Sequence, residues 1–285
     1  SVLTLLGLNV QAGDGGDKEP LDSITQLKVE SFNLRLDTPN DGINAWPKRQ
    51  QLVLNHLQLT LPDIVGMQEV LAHQLHWLDE KLPNYAVIGV GRDDGKNAGE
   101  FVPLLYNTRT LTKLDSGYFW LSETPNVAGS IGWLAHFPRV VTWAEFSQHN
   151  KVFFVFNAHF SHVSDLARQK SSEFLVHYIP TIAGDNQVIL MGDLNTLDSE
   201  LAYTTIIAAP NLGFSDSALA DGQQPSITFN GFGHSDAKRI DYIFISKGLS
   251  SSNYMTHEDK DGDLYISDHY PISTLIRFGM LQEQK

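Results

Sequence analysis

Short apolar, β-branched runs that end in polar or turn-forming residues are the feature that most restricts how this chain can fold. They occupy 27–36, 63–70, 85–91, 102–108, 111–121, 140–160, 187–195, 239–246, 253–258 and 268–278. Helical patterns separate only some of these runs, at 47–60, 71–82, 164–183 and 199–209. Many strands with scattered helices fit two packed sheets better than one parallel sheet. We therefore predict an α/β domain built on two sheets.

The composition limits the functional classes that are open to the chain. Its 285 residues are 42% hydrophobic and 19% charged, which is ordinary for a globular protein. The 33 acidic and 20 basic residues give a formal charge of -13, which argues against tight nonspecific binding to nucleic acid. The sequence has no cysteine, which excludes disulfides and thiolate metal sites. No apolar run approaches the roughly 20 residues that a membrane-spanning helix needs.

The first 25 residues differ from the rest of the chain. A short apolar run ends at Val10-Gln11-Ala12, a small-residue pattern typical of a signal-peptidase site, and an acidic glycine-rich stretch follows. The alternatives are a first strand or a loosely packed tail. We predict a leader over 1–25 that includes a truncated signal segment, and a domain over 26–285. Export to the periplasm or the outside of a bacterium is favoured over a cytoplasmic location.

The stretch "ILMGDLNT" (189–196) ends an apolar run with two polar residues, Asp193 and Asn195. Because side chains alternate between the faces of a strand with a period of two, these two residues share a face. Asp and Asn are also common in turns, so the stretch alone allows either a turn or a functional site.

Comparable polar residues stand near the ends of the other strand-like runs. They are Asn33, Glu69, Asn157, His159, His162, Asp241, Asp268 and His269. Each has a structural alternative on its own, such as a bulge at Asn33, a core histidine at His159, or an ion pair of Asp241 with Arg239. Together they place several carboxylates beside apolar strands without evident partners, which is costly. A hard divalent cation would compensate, and Mg²⁺ typically binds one or two carboxylates together with water and substrate phosphate.

Six motifs resemble, in order, those of the endonuclease/exonuclease/phosphatase superfamily of DNase I-like metal-dependent phosphoesterases. They are "SFNLR", "DIVGMQEV", "NAHFSH", "MGDLNT", "RIDYIF" and "SDHYPI", spanning 31–272. "GYFWLSETP" and "GWLAHFPRVVTW" further resemble an uncharacterised bacterial branch similar to the deadenylase-like members. The resemblance implies a four-layer αββα sandwich of two mainly antiparallel sheets flanked by helices.

The resemblance also implies a metal site and a catalytic group. Glu69 would be the main ligand of Mg²⁺ or Mn²⁺, with Asn33 beside it and Asp268 completing the metal or water site. Asp193 would orient or deprotonate the attacking water. The remaining catalytic residues would be Asn195 on a phosphate oxygen, His159 facing the scissile phosphate, and Asp241 paired with His269.

Substrate contacts are predicted for a further set of residues. His162 is expected near the site, and Arg35, Glu100 and Arg139 resemble cleft residues of the branch, with surface ion pairing as the alternative. Asn157 is expected to contact substrate. Phe229 is open to two interpretations, stacking on a substrate ring or packing in the core.

The sequence thus predicts a metal-dependent phosphoesterase that favours small or terminal phosphoesters. Its basic residues near the motifs, Arg35, Arg139, Arg168 and Arg239, are few and scattered, which suits one or two phosphates. A nuclease acting on DNA or RNA is the alternative substrate class. A non-catalytic binding module is the alternative of another kind, although such a module would be expected to have lost a metal or base residue. We expect a monomer whose partner is its phosphoester substrate.

Overall fold

The computed structural model describes residues 26–234 and 236–279, and these residues form two six-stranded sheets that pack face to face. The strands are β1 (Gln26–Asn33), β2 (Ile64–Gln68), β3 (Tyr85–Ile88), β4 (Leu104–Asn107), β5 (Thr112–Trp120), β6 (Val140–Gln148), β7 (Lys151–His159), β8 (Gln187–Asp193), β9 (Ser215–Asp216), β10 (Asp241–Ile245), β11 (Leu249–Thr256), β12 (Lys260–Asp261), β13 (Leu264–Tyr265) and β14 (Ile272–Phe278). The helices are α1 (Trp46–Thr60), α2 (Ala72–Lys81), α3 (Asp165–Ala183), α4 (Leu201–Ile207) and α5 (Ser217–Ala220).

The strand order explains how the chain builds two sheets. The first sheet runs β11-β14-β1-β2-β4-β3, and the second runs β5-β6-β7-β8-β10-β9. The pairs β1–β2 and β7–β8 are parallel, and the other pairs in both sheets are antiparallel. The prediction of two mainly antiparallel sheets is confirmed. A separate hairpin of β12 and β13 stands outside them.

Three apolar clusters hold the four layers together. The cluster between the sheets contains Val29 and Ile64 from the first sheet and Val155 and Met191 from the second. A second cluster packs α1 and α2 on the outer face of the first sheet, and a third packs α3 and α4 on the second. Since each sheet buries both faces, β2 and β8 are buried over nearly their whole length. This arrangement is the predicted αββα sandwich.

Local sequence signals set several element boundaries. The predicted hairpin around His149 and Asn150 is confirmed, and both residues have positive φ, at 44° and 63°, as a two-residue turn between β6 and β7 requires. Helix α3 begins after Ser164, whose hydroxyl accepts a hydrogen bond from the Ala167 amide. The predicted strand at 27–36 ends early, at Asn33, because Arg35 adopts a φ of 61° that strand geometry does not allow.

Asn157 fastens the two sheets to each other instead of facing a substrate. Its Nδ2 donates to the carbonyls of Met67 and Pro103, both at 2.8 Å, and its Oδ1 accepts from Gln68 Nε2 at 2.8 Å. The sheets approach closely here, since a Cβ at Gly66 would lie 2.9 Å from Asn157 Cγ. The prediction that Asn157 contacts substrate is therefore corrected: its fully buried amide is used between the layers.

The predicted leader over 1–25 lies outside the described residues, so the leader and the domain boundary stay predictions. Within the described part of the chain, none of the helices combines the length and the hydrophobicity that crossing a bilayer demands.

Replacing Asn157 tests this fastening. Asn157→Ala should lower the free energy of unfolding by about 2–4 kcal/mol, because two buried carbonyls and the Gln68 amide each lose a partner. Urea denaturation followed by circular dichroism measures the change. Asn126→Ala, at an exposed loop position, is the matched control and should change stability little. A stability of Asn157→Ala equal to that of the control would contradict the assignment.

Candidate active site

Polar residues at the ends of the central strands meet at one edge of the sandwich. Asn33 ends β1 and Glu69 follows β2 in the first sheet, while His159 ends β7 and Asp193 ends β8 in the second. The two pairs of strands are parallel, so their carboxyl ends lie side by side. Asp241, at the start of β10, is the antiparallel partner of Asp193. The two sheets therefore bring their acidic residues to one place.

The Asn33 amide joins the two sheets within this edge. Its Nδ2 donates to Asp193 Oδ2 at 2.9 Å and to Glu69 Oε1 at 3.1 Å. Its Oδ1 accepts from the Arg35 backbone amide at 3.0 Å, which fixes the orientation of the group. The Asn33 oxygen thus faces the backbone here, and its predicted role as a metal ligand stays a prediction.

A buried histidine–aspartate pair supplies the positive charge beside these carboxylates. His269 Nδ1 lies 2.8 Å from Asp241 Oδ2, and His269 Nε2 lies 3.7 Å from Asp193 Oδ2. Burial alone would lower the pKa of His269, but the charges of Asp241 and Asp193 raise that pKa to about 10. His269 is therefore an imidazolium at neutral pH, and it makes with Asp241 the contact that the superfamily resemblance implied.

His159 has the opposite electrostatic setting on the other side of Asp193. Burial lowers the pKa of His159 well below its usual value, and the nearby charges of Arg139 and Arg92 lower it further. Its Nε2 lies 3.5 Å from Asp193 Oδ2, and its Nδ1 lies 3.9 Å from Glu100 Oε2. His159 is therefore neutral, so the two imidazoles that flank Asp193 differ in charge.

The carboxylates also differ in their protonation. Burial and the charge of Asp241 raise the pKa of Asp193 to about 7. Burial and the charge of Glu69 raise the pKa of Glu100 to about 7. Burial opposes ionisation of Glu69 as well, but His269, Arg35 and the Asn33 amide hold its pKa below the usual value. Glu69 is thus the constant anion of the site, and Asp193 titrates near neutrality.

The donor set fits a hard divalent cation. One oxygen each from Glu69 and Asp193 and one ring nitrogen of His269 lie within 4.8 Å of one another. Since His269 is protonated, the carboxylate oxygens are the available ligands, and Mg²⁺ prefers such oxygens. Asp268 lies near as well, and Arg35 contacts both Asp268 and Glu69. Arg35 Nη1 is 3.7 Å from Asp268 Oδ2 and 3.8 Å from Glu69 Oε2.

A cavity of about 780 Å³ opens over these groups. The predicted site residues that line it are Arg35, Glu69, Arg139, His159, His162, Asp193, Asn195, Asp268 and His269. Glu100 and Phe229, singled out with less specific roles, line it too. Asn33 and Asp241 support the site from behind through their hydrogen bonds to lining residues.

Several side chains that are predicted to contact the substrate already make contacts within the protein. Asn195 Nδ2 donates to the Phe160 carbonyl at 3.1 Å, and its backbone amide donates to Asp193 Oδ1 at 3.0 Å. Arg139 Nη2 lies 3.0 Å from His162 Nδ1. Phe229 packs edge-on against His269, with ring centroids 5.1 Å apart.

Other cavity residues were not singled out from the sequence, although Phe137 and Ile240 lie within the quoted motifs. They are Leu36, Arg92, Phe137, Gly231, Phe232, Asp236, Lys238 and Ile240. Most of them lie on loops, where no periodic pattern shows which side chains face inward. Conversely, Arg168 donates to the Ser161 carbonyl and Arg239 to Asp216, so neither of these arginines lines the cavity.

The fold and the site define a phosphoester-hydrolysing class of protein. The profile of the Endonuclease/Exonuclease/phosphatase family matches residues 31–269. The chain belongs to this family, whose members are hydrolases that act on phosphoesters.

Solved structures give the same result. An endonuclease/exonuclease/phosphatase from Bacteroides vulgatus is 35% identical, with a TM-score of 0.85 over 89% of this chain and 99% of that one. A mannosyl-6-phosphatase from Bacteroides thetaiotaomicron is 30% identical, with a TM-score of 0.79 over 88% of this chain and 99% of that one. TDP2 of D. rerio, complexed with a single-stranded DNA product, is 18% identical and shares the fold, with a TM-score of 0.71 over 88% and 99% of the two chains.

The charge of His269 depends on Asp241, and this dependence can be measured. Deprotonation of His269 should end activity as pH rises through its pKa, so the wild-type alkaline limb of kcat/KM should lie near pH 10. Asp241→Asn removes a negative charge, lowers the pKa of His269, and should move that limb about one to three pH units lower. Asp185→Asn, at an exposed position, is the control. An unmoved limb in Asp241→Asn would show that His269 is not the group that titrates.

Proposed function

We propose that this chain is a divalent-metal-dependent phosphoesterase that uses an activated water to hydrolyse small or terminal phosphoesters. One observation carries the proposal: Glu69 and Asp193, joined through Asn33, lie beside the His269–Asp241 pair in a single cavity. Phosphoester hydrolysis needs a positioned water, compensation of charge on the phosphoryl oxygens, and proton transfer. This cluster has side chains for each requirement.

Glu69 would hold the metal, Mg²⁺ or Mn²⁺, because it is the carboxylate that stays ionised. Asp193 and Asp268 would be the further oxygen ligands or the partners of metal-bound water, and the Asn33 amide would orient Glu69 and Asp193 by donating to both. When bound, the cation would supply compensation for the negative charge of the phosphoryl group.

The other site residues would handle protons and orient the substrate. Asp193, with a pKa near neutrality, can accept a proton from the attacking water. His269, held as a cation by Asp241, can donate its Nε2–H to a phosphoryl oxygen. His159 is neutral and can hydrogen-bond the phosphate without adding charge, and Asn195 would hold another phosphate oxygen.

The character of the cavity favours a compact substrate. Its cationic side chains, Arg35, Arg92, Arg139 and Lys238, all face the one cavity, and the chain as a whole carries a formal charge of -13. Such a distribution suits one or two phosphates better than a long polyanion. Arg35 donates two hydrogen bonds to Asp41, from Nε and from Nη2, both at 3.0 Å. This bidentate contact orients the guanidinium group and leaves Nη1 available to an anionic phosphate oxygen.

Aromatic residues form another part of the cavity wall. Phe137, Phe229 and Phe232 line it and could pack against the apolar face of a sugar ring. The relative from Bacteroides thetaiotaomicron is named a mannosyl-6-phosphatase, and a sugar phosphate is a substrate of the size that this cavity suits.

Two other functions remain as alternatives. The first alternative is a nuclease, because the chain shares the fold of TDP2. A nuclease would, however, need cationic side chains along the nucleic-acid strand beyond the cavity. The second alternative is a non-catalytic binding module. Such a module would not need an aspartate like Asp193, whose pKa is about 7 and which lies between one charged and one neutral imidazole. A monomer is the expected state, since the site is assembled within one chain, and export rests only on the pattern at 1–12.

Removal of the metal tests the metal requirement. EDTA should abolish activity, and excess Mg²⁺ or Mn²⁺ should restore it. Glu69→Gln should reduce kcat/KM by at least about 100-fold at unchanged secondary structure, because a charged oxygen ligand is lost. Glu80→Gln, an exposed glutamate on α2, is the matched control. Full activity in EDTA would contradict the metal requirement.

Salt dependence tests the substrate class. Each phosphate neutralised on duplex DNA contributes a slope of about -0.9 to the dependence of log affinity on log salt concentration. We expect weak cleavage of duplex DNA and efficient hydrolysis of a sugar phosphate or small phosphodiester whose KM varies little with salt. Steady-state kinetics on these substrates from low to high salt provide the measurement. Efficient duplex cleavage with a steep slope would favour the nuclease instead.

A further inference from the structure

A second cluster of potential metal ligands lies apart from the catalytic cavity. His56 belongs to α1, while His257 and Asp259 follow β11. One donor atom from each of these three residues lies within 4.8 Å of the others. They line their own cavity of about 220 Å³, and none of them lines the catalytic one.

In both imidazoles Nε2 is hydrogen-bonded within the protein, so Nδ1 is the candidate ligand atom, and in His56 a metal ion would replace the proton between Nδ1 and Asp259. His56 Nε2 lies 2.8 Å from Glu30 Oε1, and His257 Nε2 lies 2.8 Å from Ser273 Oγ. His56 Nδ1 lies 2.6 Å from Asp259 Oδ2. In metal sites, a ligating histidine usually donates its other N–H to a carboxylate or another oxygen, which fixes the ring. Glu30 and Ser273 stand in that position.

The charges of the cluster are not balanced by the protein. Glu30 is fully buried, and its Oε2 has no hydrogen-bond partner among the described residues. Within the described part of the chain, no lysine or arginine nitrogen lies within 4.0 Å of a Glu30 or Asp259 carboxylate oxygen. His56 contacts both acidic side chains, with Nε2 2.8 Å from Glu30 Oε1 and Nδ1 2.6 Å from Asp259 Oδ2. A divalent cation in this cluster would bring further positive charge to the two acidic side chains.

We propose that His56, His257 and Asp259 form a second metal site, which binds a transition metal of the zinc type. Two imidazoles and one carboxylate suit Zn²⁺ better than Mg²⁺, which prefers oxygen ligands. Three protein ligands leave a fourth position open to the cavity for water. Asp259 is 43% exposed at its side chain, so it can move outward to admit the ion.

The position of this site gives it a structural role. Ile266, just after the β12–β13 hairpin, donates its amide to the Asp259 carbonyl at 3.2 Å, and Asp268 and His269 follow it in the chain. A metal held by Asp259, His257 and His56 would fasten this segment to α1. The ion would stabilise the segment that carries His269 without taking part in the reaction.

Titration with Zn²⁺ tests the proposal in a background that weakens the catalytic metal site. The full chain carrying Glu69→Gln is titrated by calorimetry, and Co²⁺ is added separately to follow its visible absorption. We expect one tight Zn²⁺ per chain, nitrogen-type Co²⁺ absorption, and a higher melting temperature with Zn²⁺. Adding His257→Ala or Asp259→Asn should remove all three effects. Both positions are partly exposed, so circular dichroism should show an unchanged fold.

Two further variants make the test specific. His76→Ala, at an exposed histidine of α2, is the matched control and should bind Zn²⁺ as the background does. Glu30→Gln should weaken binding about 10–100-fold, as expected for a residue that orients a ligand. Equal Zn²⁺ affinity and stoichiometry with and without His257→Ala or Asp259→Asn would overturn the proposal. An equal loss in His76→Ala would overturn it as well, because binding would then be adventitious.

Discussion

Two carboxylates from different sheets, Glu69 and Asp193, share the Asn33 amide, and the rest of the site is arranged around this contact. The contact forms only if the sheets approach closely and in the correct register at their carboxyl ends. Gly66, three residues before Glu69, and the buried amide of Asn157, two residues before His159, fix that approach. Packing between the layers therefore sets the distance between the groups proposed to hold a metal and the groups proposed to move protons.

Burying so many acidic groups at one edge has an electrostatic consequence. The negative charges of Asp241 and Asp193 keep His269 protonated, while burial, together with the positive charges of Arg139 and Arg92, keeps His159 neutral. Two residues of the same type thereby acquire different charges on either side of Asp193. Environments that separate the pKa values of neighbouring groups are typical of acid–base sites. The arrangement also leaves room for a divalent cation at Glu69.

Part of this site could be predicted from the sequence, because polar residues at strand ends stand out against apolar runs. Asp193, His269 and Glu69 were noted in this way, and the resemblance of the motifs to the superfamily supplied their expected roles. The prediction that Asn157 contacts substrate was wrong, because a motif does not show whether a residue at a strand end faces a cavity or the opposite sheet. Arg92 and Lys238 were missed, because they lie on loops whose inward side is determined only by tertiary packing.

The proposed chemistry depends most on a cation bound at Glu69, and a crystal structure of the protein soaked in Mn²⁺ tests this directly. Anomalous scattering at the manganese absorption edge locates the ion without reference to activity. We expect an anomalous peak within bonding distance of a Glu69 carboxylate oxygen, in the space next to Asn33 and Asp193. Absence of a peak there, with manganese bound elsewhere or not at all, would contradict the proposed chemistry.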